Sequence, residues 1–361
     1  MHCSSLGEFE QGRILIEKLH QDCPEVETVL TFFSPSGYEI RKNYPQADHV
    51  LYLPKESPQT AEKWVAELRP DLVIWVKYDF WYFYLRAIHK AQIPLLLVSG
   101  LFDEKSPFFK KNALLHQQMI GFFQRLYVQD EASQRRLQSH FPKADVRIGG
   151  DNRIDRVAQI AQKPPNNEYI SRFLATHPNQ KILVGGSVYQ AEASLLADYM
   201  EKQTDLVLIL APHDIRPKNI RAIAQFFKKV SLYSEQKLQK EAKVMIVDQI
   251  GLLSGLYQFA DVALVGGGFG KSIHNTLEPA VFGIPVAFGP AAYTKFKEAH
   301  DLVEKGGFML LEQNTADFHQ KMDKLFDERE KMGDINKAYI QEKAGKSNTI
   351  AADIQNILTK K

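Results

Sequence analysis

Between Asp261 and Pro290 the chain reads DVALVGGGFGKSIHNTLEPAVFGIPVAFGP, the stretch richest in groups able to hold an anionic ligand. Asp261 to Val265 reads as a buried strand, Gly266 to Gly268 as a turn, and Thr276 to Val281 as a short helix stopped by Gly283 and Pro285. Val286 to Phe288 is a second strand, closed by Gly289-Pro290. Strand, glycine turn, helix and strand would offer bare backbone N–H groups and a positive helix end to a phosphate. Gly267, Gly268, Asn275, Thr276, Leu277 and Glu278 are the candidates here, Glu278 as an acceptor for sugar hydroxyls. Two familiar motifs do not fit. A Walker A loop needs glycine five residues before Gly270, where Val265 stands; a dinucleotide fingerprint needs glycine at Lys271.

Three further turns follow apolar runs and complete a ring suited to a nucleotide. Gly185-Gly186-Ser187 follows Ile182–Val184, Pro212-His213 follows Val207–Leu210, and Ile250-Gly251-Leu252 lies just beyond Val244–Val247. No Asp-x-Asp pair occurs, so charge on a leaving phosphate would be met by dipoles and cations rather than a bound metal. In the first half, Ser4, Ser5, Gly7 and Glu8 form a turn entering a helix. Glu8 reads either as a first-turn carboxylate stabilising the helix dipole or as a reactive group. Asp79 follows the run Leu72–Val76; Arg153 and Asp155 read as a functional pair or a structural ion pair. Phe108 and Phe109, with Lys105, Lys110 and Lys111, interleave apolar and basic groups as an anionic membrane surface requires.

These candidates must be positioned by something regular. Short apolar runs alternate with amphipathic segments at 29–33, 50–53, 72–76, 95–98 and 126–128, and again at 182–184, 207–210, 230–232 and 244–247. That alternation predicts parallel sheets covered by helices on both faces. The polar, proline-rich stretch QKPPNN divides the two series, which predicts a first Rossmann-like domain over 1–161, a linker over 162–168 and a second domain over 169–361. Ligands would bind at the carboxyl ends of both sheets, across a cleft.

Composition narrows the function classes. The 361 residues carry a formal net charge of +2, and neither half is strongly basic, which argues against nucleic acid as a partner. Two cysteines, Cys3 and Cys23, are too few for a disulfide framework or a zinc site. No apolar run reaches the length of a membrane span.

The blocks HCSSLGEFEQGR (2–13), FFSPSGY (32–38), DFW (79–81), GGDNRID (149–155), GGS (185–187), APH (211–213), HNTLEP (274–279) and GIPVAFGP (283–290) together resemble the Kdo transferases. Those enzymes move 3-deoxy-D-manno-octulosonic acid from CMP-Kdo to a lipid A precursor. The resemblance implies an α/β protein of GT-B type, two Rossmann-like domains facing across a cleft, with the donor nucleotide on the second. It implies Glu8 as general base, Asp79 and Arg153 at the transition state, and Ser5 on the acceptor side. Ser187, Pro212, His213, Ile250 to Leu252, Gly267, Gly268 and Asn275 to Glu278 would hold CMP, with no metal or other cofactor. The expected place of work is the cytoplasmic face of the bacterial inner membrane. His213 stands where the family commonly has Arg, and Lys77 and Tyr82 replace Glu and Pro around the DFW block. Most members also begin with a membrane-anchoring helix and a full first strand, both of which precede the point at which this chain starts. The same fold would also suit another nucleotide-sugar enzyme using UDP, or an inactive homologue.

Overall fold

The computed structural model describes residues 1–77 and 79–359. Contacts divide the chain into two units, Met1–Arg156 with Lys343–Lys361, and Val157–Glu342. Strands β1 (His2–Cys3), β2 (Val29–Phe32), β3 (His49–Tyr52), β4 (Val73–Val76), β5 (Leu95–Gly100), β6 (Arg125–Val128) and β7 (Val146–Ile148) form the sheet of the first unit. Their order is β3-β2-β1-β4-β5-β6-β7, and every neighbouring pair is parallel. The direction of winding reverses between β1 and β4, which makes the carboxyl ends of those two strands the topological switch point.

The pleat explains why these strands read as continuous apolar runs. Val73, Trp75, Leu95 and Leu97 pack into one core layer, while Ile74, Val76, Leu96 and Val98 pack into the layer on the opposite face. A strand buried on both faces has no polar side to show.

The second unit repeats the plan with β8 (Lys181–Val188), β9 (Leu206–Pro212), β10 (Val230–Leu232), β11 (Val244–Ile246), β12 (Val262–Val265), β13 (Val286–Phe288) and β14 (Phe308–Leu310). The order is β10-β11-β9-β8-β12-β13-β14, again parallel throughout, with its switch point between β8 and β12. Here too alternate residues divide between two layers: Leu183, Leu208 and Leu210 on one face, Val184, Val207 and Ile209 on the other.

The division of the chain differs from the sequence-based one in two ways. The stretch 162–168 is not a free linker, because Pro165 packs on Gly255 and its carbonyl accepts from Gln258 Nε2 at 3.1 Å. The helix Asn152–Gln162 instead runs across the boundary. The last helix, Lys346–Leu358, returns to the first unit, where Ile350 and Ile354 are wholly buried in the layer containing Tyr127 and Leu15. Asp155 caps that helix, accepting from the N–H groups of Gly345 and, at 2.6 Å, Ser347. A carboxylate at a helix start satisfies orphan N–H groups and opposes the helix dipole favourably.

Candidate active site

Ser5, two residues beyond the short β1 strand, is extended and caps the helix Leu6–Asp22. Its Oγ accepts from the Glu8 N–H at 3.4 Å, while the Glu8 carboxylate turns back to accept from the Ser4 N–H at 2.5 Å. Glu8 is therefore a first-turn carboxylate, as its bland reading requires, but a nearly buried one at 7% exposure. A helix N-terminus normally lowers a carboxyl pKa. Here burial, and then the charge of Asp79, push Glu8 up to about 7, against smaller opposing effects from the Ser4 hydrogen bond and the Lys77 charge. A carboxylate poised near neutrality is suited to accept a proton at physiological pH.

Asp79 follows β4 as Glu8 follows β1, so the switch point brings them together. The Trp75 indole fixes the Asp79 turn by donating to its carbonyl at 3.1 Å. Left-handed residues other than glycine stand at the ends of two neighbouring strands, Lys77 just after β4 at φ 61° and Ser99 next to last in β5 at φ 54°. Such strain persists where surrounding structure enforces it, and it gathers at functional sites. The geometry predicts the sign of one mutation. Asp79→Asn removes a negative neighbour, so Glu8 ionises more readily and the acidic limb of the kcat/KM profile moves to lower pH. A limb that moves upward would show that the Asp79 charge is not what Glu8 feels.

Arg153 and Asp155 take different partners. Arg153 forks onto Asp151, with Nε at 3.0 Å from both carboxylate oxygens, and Asp155 caps the last helix. The alternative of a structural ion pair between Arg153 and Asp155 gives way to these two contacts, because residues two apart on a helix do not face each other.

In the second unit, a cavity of about 270 Å³ opens at the β8–β12 switch point. Four of the donor candidates, Ser187, Gly251, Asn275 and Glu278, line it together with Leu253, Ser254, Tyr257, Val265 and His274. Asn275 organises its floor, with Oδ1 accepting from the Leu277 N–H and Nδ2 donating to Glu278 Oε1, both at 3.2 Å. The remaining donor candidates stand elsewhere. Ile250 is 85% exposed, Leu252 packs towards the core, and Leu277 is wholly buried. Thr276 is buried too, and its hydroxyl has no partner among the described residues. Pro212 ends β9 against Val188, and His213 is stacked on the His274 ring at 4.4 Å.

The anticipated helix after the glycine turn is only Leu277–Ala280, four residues. So short a helix has no useful macrodipole, and anion binding must rest on individual N–H groups and hydroxyls. The glycines have a more local cause: the turns touch. A Cβ on Gly266 would lie 2.1 Å from the Ser187 carbonyl oxygen, and one on Gly268 would lie 2.4 Å from the Gly289 nitrogen.

Two residues that sequence reading passed over hold these turns. Glu192, 2% exposed, accepts from the Gly267 N–H at 2.9 Å with one oxygen and from the Tyr189 N–H at 3.1 Å with the other. Tyr189 stacks on His213 at 4.8 Å and meets His274 Nε2 through its hydroxyl at 3.2 Å. Burial and the neighbouring His213 push His274 down to about 4, so it is neutral at physiological pH. Glu192 had a signal, a glutamate three residues into a helix before an apolar run. Tyr189 had none.

The membrane expectation needs correction. Phe108 is a core residue, 5% exposed and packed edge-on against Phe102, and Phe109 is half-buried against His140. Lys105, Lys110 and Lys111 are exposed, but their apolar companions are Leu114 and Leu115, 73% and 57% exposed. Among the described residues no helix is long and apolar enough to cross a membrane.

Residues 1–156 match the family described as 3-Deoxy-D-manno-octulosonic-acid transferase (kdotransferase). The likeness to the Kdo transferases is borne out. Glu8, Asp79 and Arg153 all fall inside the part matched by that Kdo transferase family. A 3-deoxy-D-manno-octulosonic acid transferase of Chlamydia muridarum (strain MoPn / Nigg) is 27% identical over 306 residues, 81% of this chain and 70% of that protein. A bifunctional glycosyltransferase/methyltransferase of Fusobacterium nucleatum is 24% identical over 93% of this chain, which spans about half (54%) of that protein. Among solved structures, UDP-GlcNAc 2-epimerase from Neisseria meningitidis bound to UDP-GlcNAc superposes with a TM-score of 0.66 at 16% identity, covering 99% of this chain and 98% of that one. At that identity the likeness concerns fold alone, and it agrees with the GT-B type of α/β architecture expected from the sequence.

Proposed function

We propose that the chain is a glycosyltransferase that moves Kdo from CMP-Kdo to a lipid A precursor, with Glu8 as general base and without a metal. The observation that carries this reading is the buried Glu8 at the switch point, held near neutrality by burial and Asp79. Glu8 takes the proton from an acceptor hydroxyl as that oxygen bonds to the anomeric carbon. The sugar–phosphate bond breaks on the opposite face, and CMP leaves with the electron pair, so configuration inverts. Backbone N–H groups and the Ser187 and Ser254 hydroxyls at the second unit's cavity would receive the leaving group, while Asn275 and Glu278 address the nucleoside. The relatives' names support Kdo as the sugar.

Donor choice is tested by calorimetry on the full chain without added metal. CMP binds more tightly than UMP. Equal affinity for UMP, or a requirement for Mg²⁺, would instead favour a UDP-sugar enzyme of the same fold.

A lipid acceptor calls for contact with a membrane, here the cytoplasmic face of the bacterial inner membrane. Leu114 and Leu115 with Lys105, Lys110 and Lys111 supply it in this reading. Each lysine contributes about 1 kcal/mol at an anionic surface, and each inserted leucine about 1.5–3 kcal/mol if fully buried. The double variant Leu114→Ser, Leu115→Ser therefore loses most co-sedimentation with phosphatidylglycerol vesicles at low salt. Sedimentation equal to wild type would remove this patch from the account.

A further inference from the structure

The first unit carries an aromatic surface that none of the assigned roles uses. Phe33 follows β2 directly, yet its ring is 42% exposed. It lies 4.3 Å from the Trp81 ring at an interplanar angle of 39°. A second pair, Tyr38 and Tyr52, stacks at 3.9 Å and 28°, with Tyr52 39% exposed. Phe33, Tyr52 and Trp81 come from the carboxyl ends of β2, β3 and β4 or just beyond, the edge that also carries Glu8.

Contacts tie this surface to the candidate base. The Ser34 N–H donates to the Ser4 carbonyl at 2.8 Å, and the Ser4 N–H donates to Glu8. Trp81 stands two residues beyond Asp79, whose charge acts on Glu8. We infer that Phe33 and Trp81 form a platform for one pyranose ring of the acceptor, stacked through its apolar face beside Glu8; this rests on the glycosyltransferase reading above.

The chemistry of the surroundings selects a sugar over a hydrocarbon chain. Aromatic faces are negative, and the C–H groups on one face of a pyranose are their natural partners. The ring's perimeter carries hydroxyls, which need polar neighbours. Ser34 and Ser36 supply two exposed hydroxyls, 2.8 Å apart, and Asp79 an exposed carboxylate. An acyl chain would need an enclosed apolar trough without such a rim. The Trp81 indole N–H is buried and has no acceptor among the described residues.

The test uses the full chain and a water-soluble, deacylated glucosamine disaccharide phosphate, with binding read by calorimetry and by tryptophan fluorescence. Phe33→Ala weakens disaccharide binding about tenfold. Phe33→Tyr restores it, and CMP affinity stays within about twofold because the donor residues lie in the other unit. An unchanged melting temperature establishes that Phe33→Ala is folded. Wild-type disaccharide affinity in Phe33→Ala overturns the platform. So does a loss seen only with acylated acceptor, which would assign the rings to acyl chains. Phe33-dependent disaccharide binding in a protein that does not turn over CMP-Kdo would keep the platform and reject the proposed reaction.

Discussion

Glu8→Gln lowers transfer by about 10²–10⁴-fold, the usual contribution of a positioned base, while CMP affinity is retained. Glutamine keeps the size of the side chain and can still accept from the Ser4 N–H, so the helix start survives. What disappears is the ability to take a proton. The same variant carries an independent signature in stability. The folded state holds Glu8 near 7 against an ordinary 4.5, so it binds more protons than the unfolded chain between those values. Stability contributed by the protonated carboxyl is fully present below about 4.5 and is lost as pH rises through about 7. Above that range the ionised group opposes folding by about 3 kcal/mol at most. Glu8→Gln therefore melts higher than wild type at pH 8, and the gap closes towards pH 4.5. Transfer above a tenth of wild type, with no pH-dependent gap in melting, would return Glu8 to the role of a helix-start carboxylate.

Gly266→Ala has the largest expected effect on the donor side, a loss of CMP affinity of about 100-fold or more. The new methyl carbon would sit 2.1 Å from the Ser187 carbonyl oxygen, backbone against backbone, so one of the two turns must move. Both line or support the same cavity, and a displacement of about 1 Å at such a site is typically worth two orders of magnitude. Gly121→Ala is the matched control, because nothing lies within 4 Å of its Cβ position. It leaves CMP binding unchanged. Equal CMP affinity in both variants would mean that the β8 and β12 turns do not hold the nucleotide.

Much of the fold was legible because buried parallel strands leave continuous apolar runs, as at Val73–Val76 and Leu206–Pro212. The strands that escaped notice lack that signal. His2–Cys3 is two residues long, Val146–Ile148 is an edge strand with Arg147 exposed, and Phe308–Leu310 is only three residues. The helix at 277–280 was over-read because the apolar pattern runs on into Val281 and Phe282, beyond the last helical residue. Around the candidate sites, positions announced by turns were legible: Glu8 and Asp79 stand beyond β1 and β4, and Ser187, Asn275 and Glu278 line the cavity of the second unit. Glu192 and Tyr189 depend on contacts between segments about 80 residues apart, which no local pattern encodes. Phe108 failed for the opposite reason. Interleaved Lys and Phe suits both a membrane face and a loop that tucks its rings into the core, and only the fold separates them.

The central claim is the reaction itself, and its most direct test is turnover. The purified protein is incubated with CMP-Kdo and a lipid A precursor in detergent, without added divalent metal. Release of CMP and the glycolipid are followed together by mass spectrometry. The account predicts one CMP released for each Kdo added to the glycolipid, with Glu8→Gln silent in both readouts. Turnover of a UDP-sugar in its place, or CMP released without any Kdo appearing on the lipid, would contradict it.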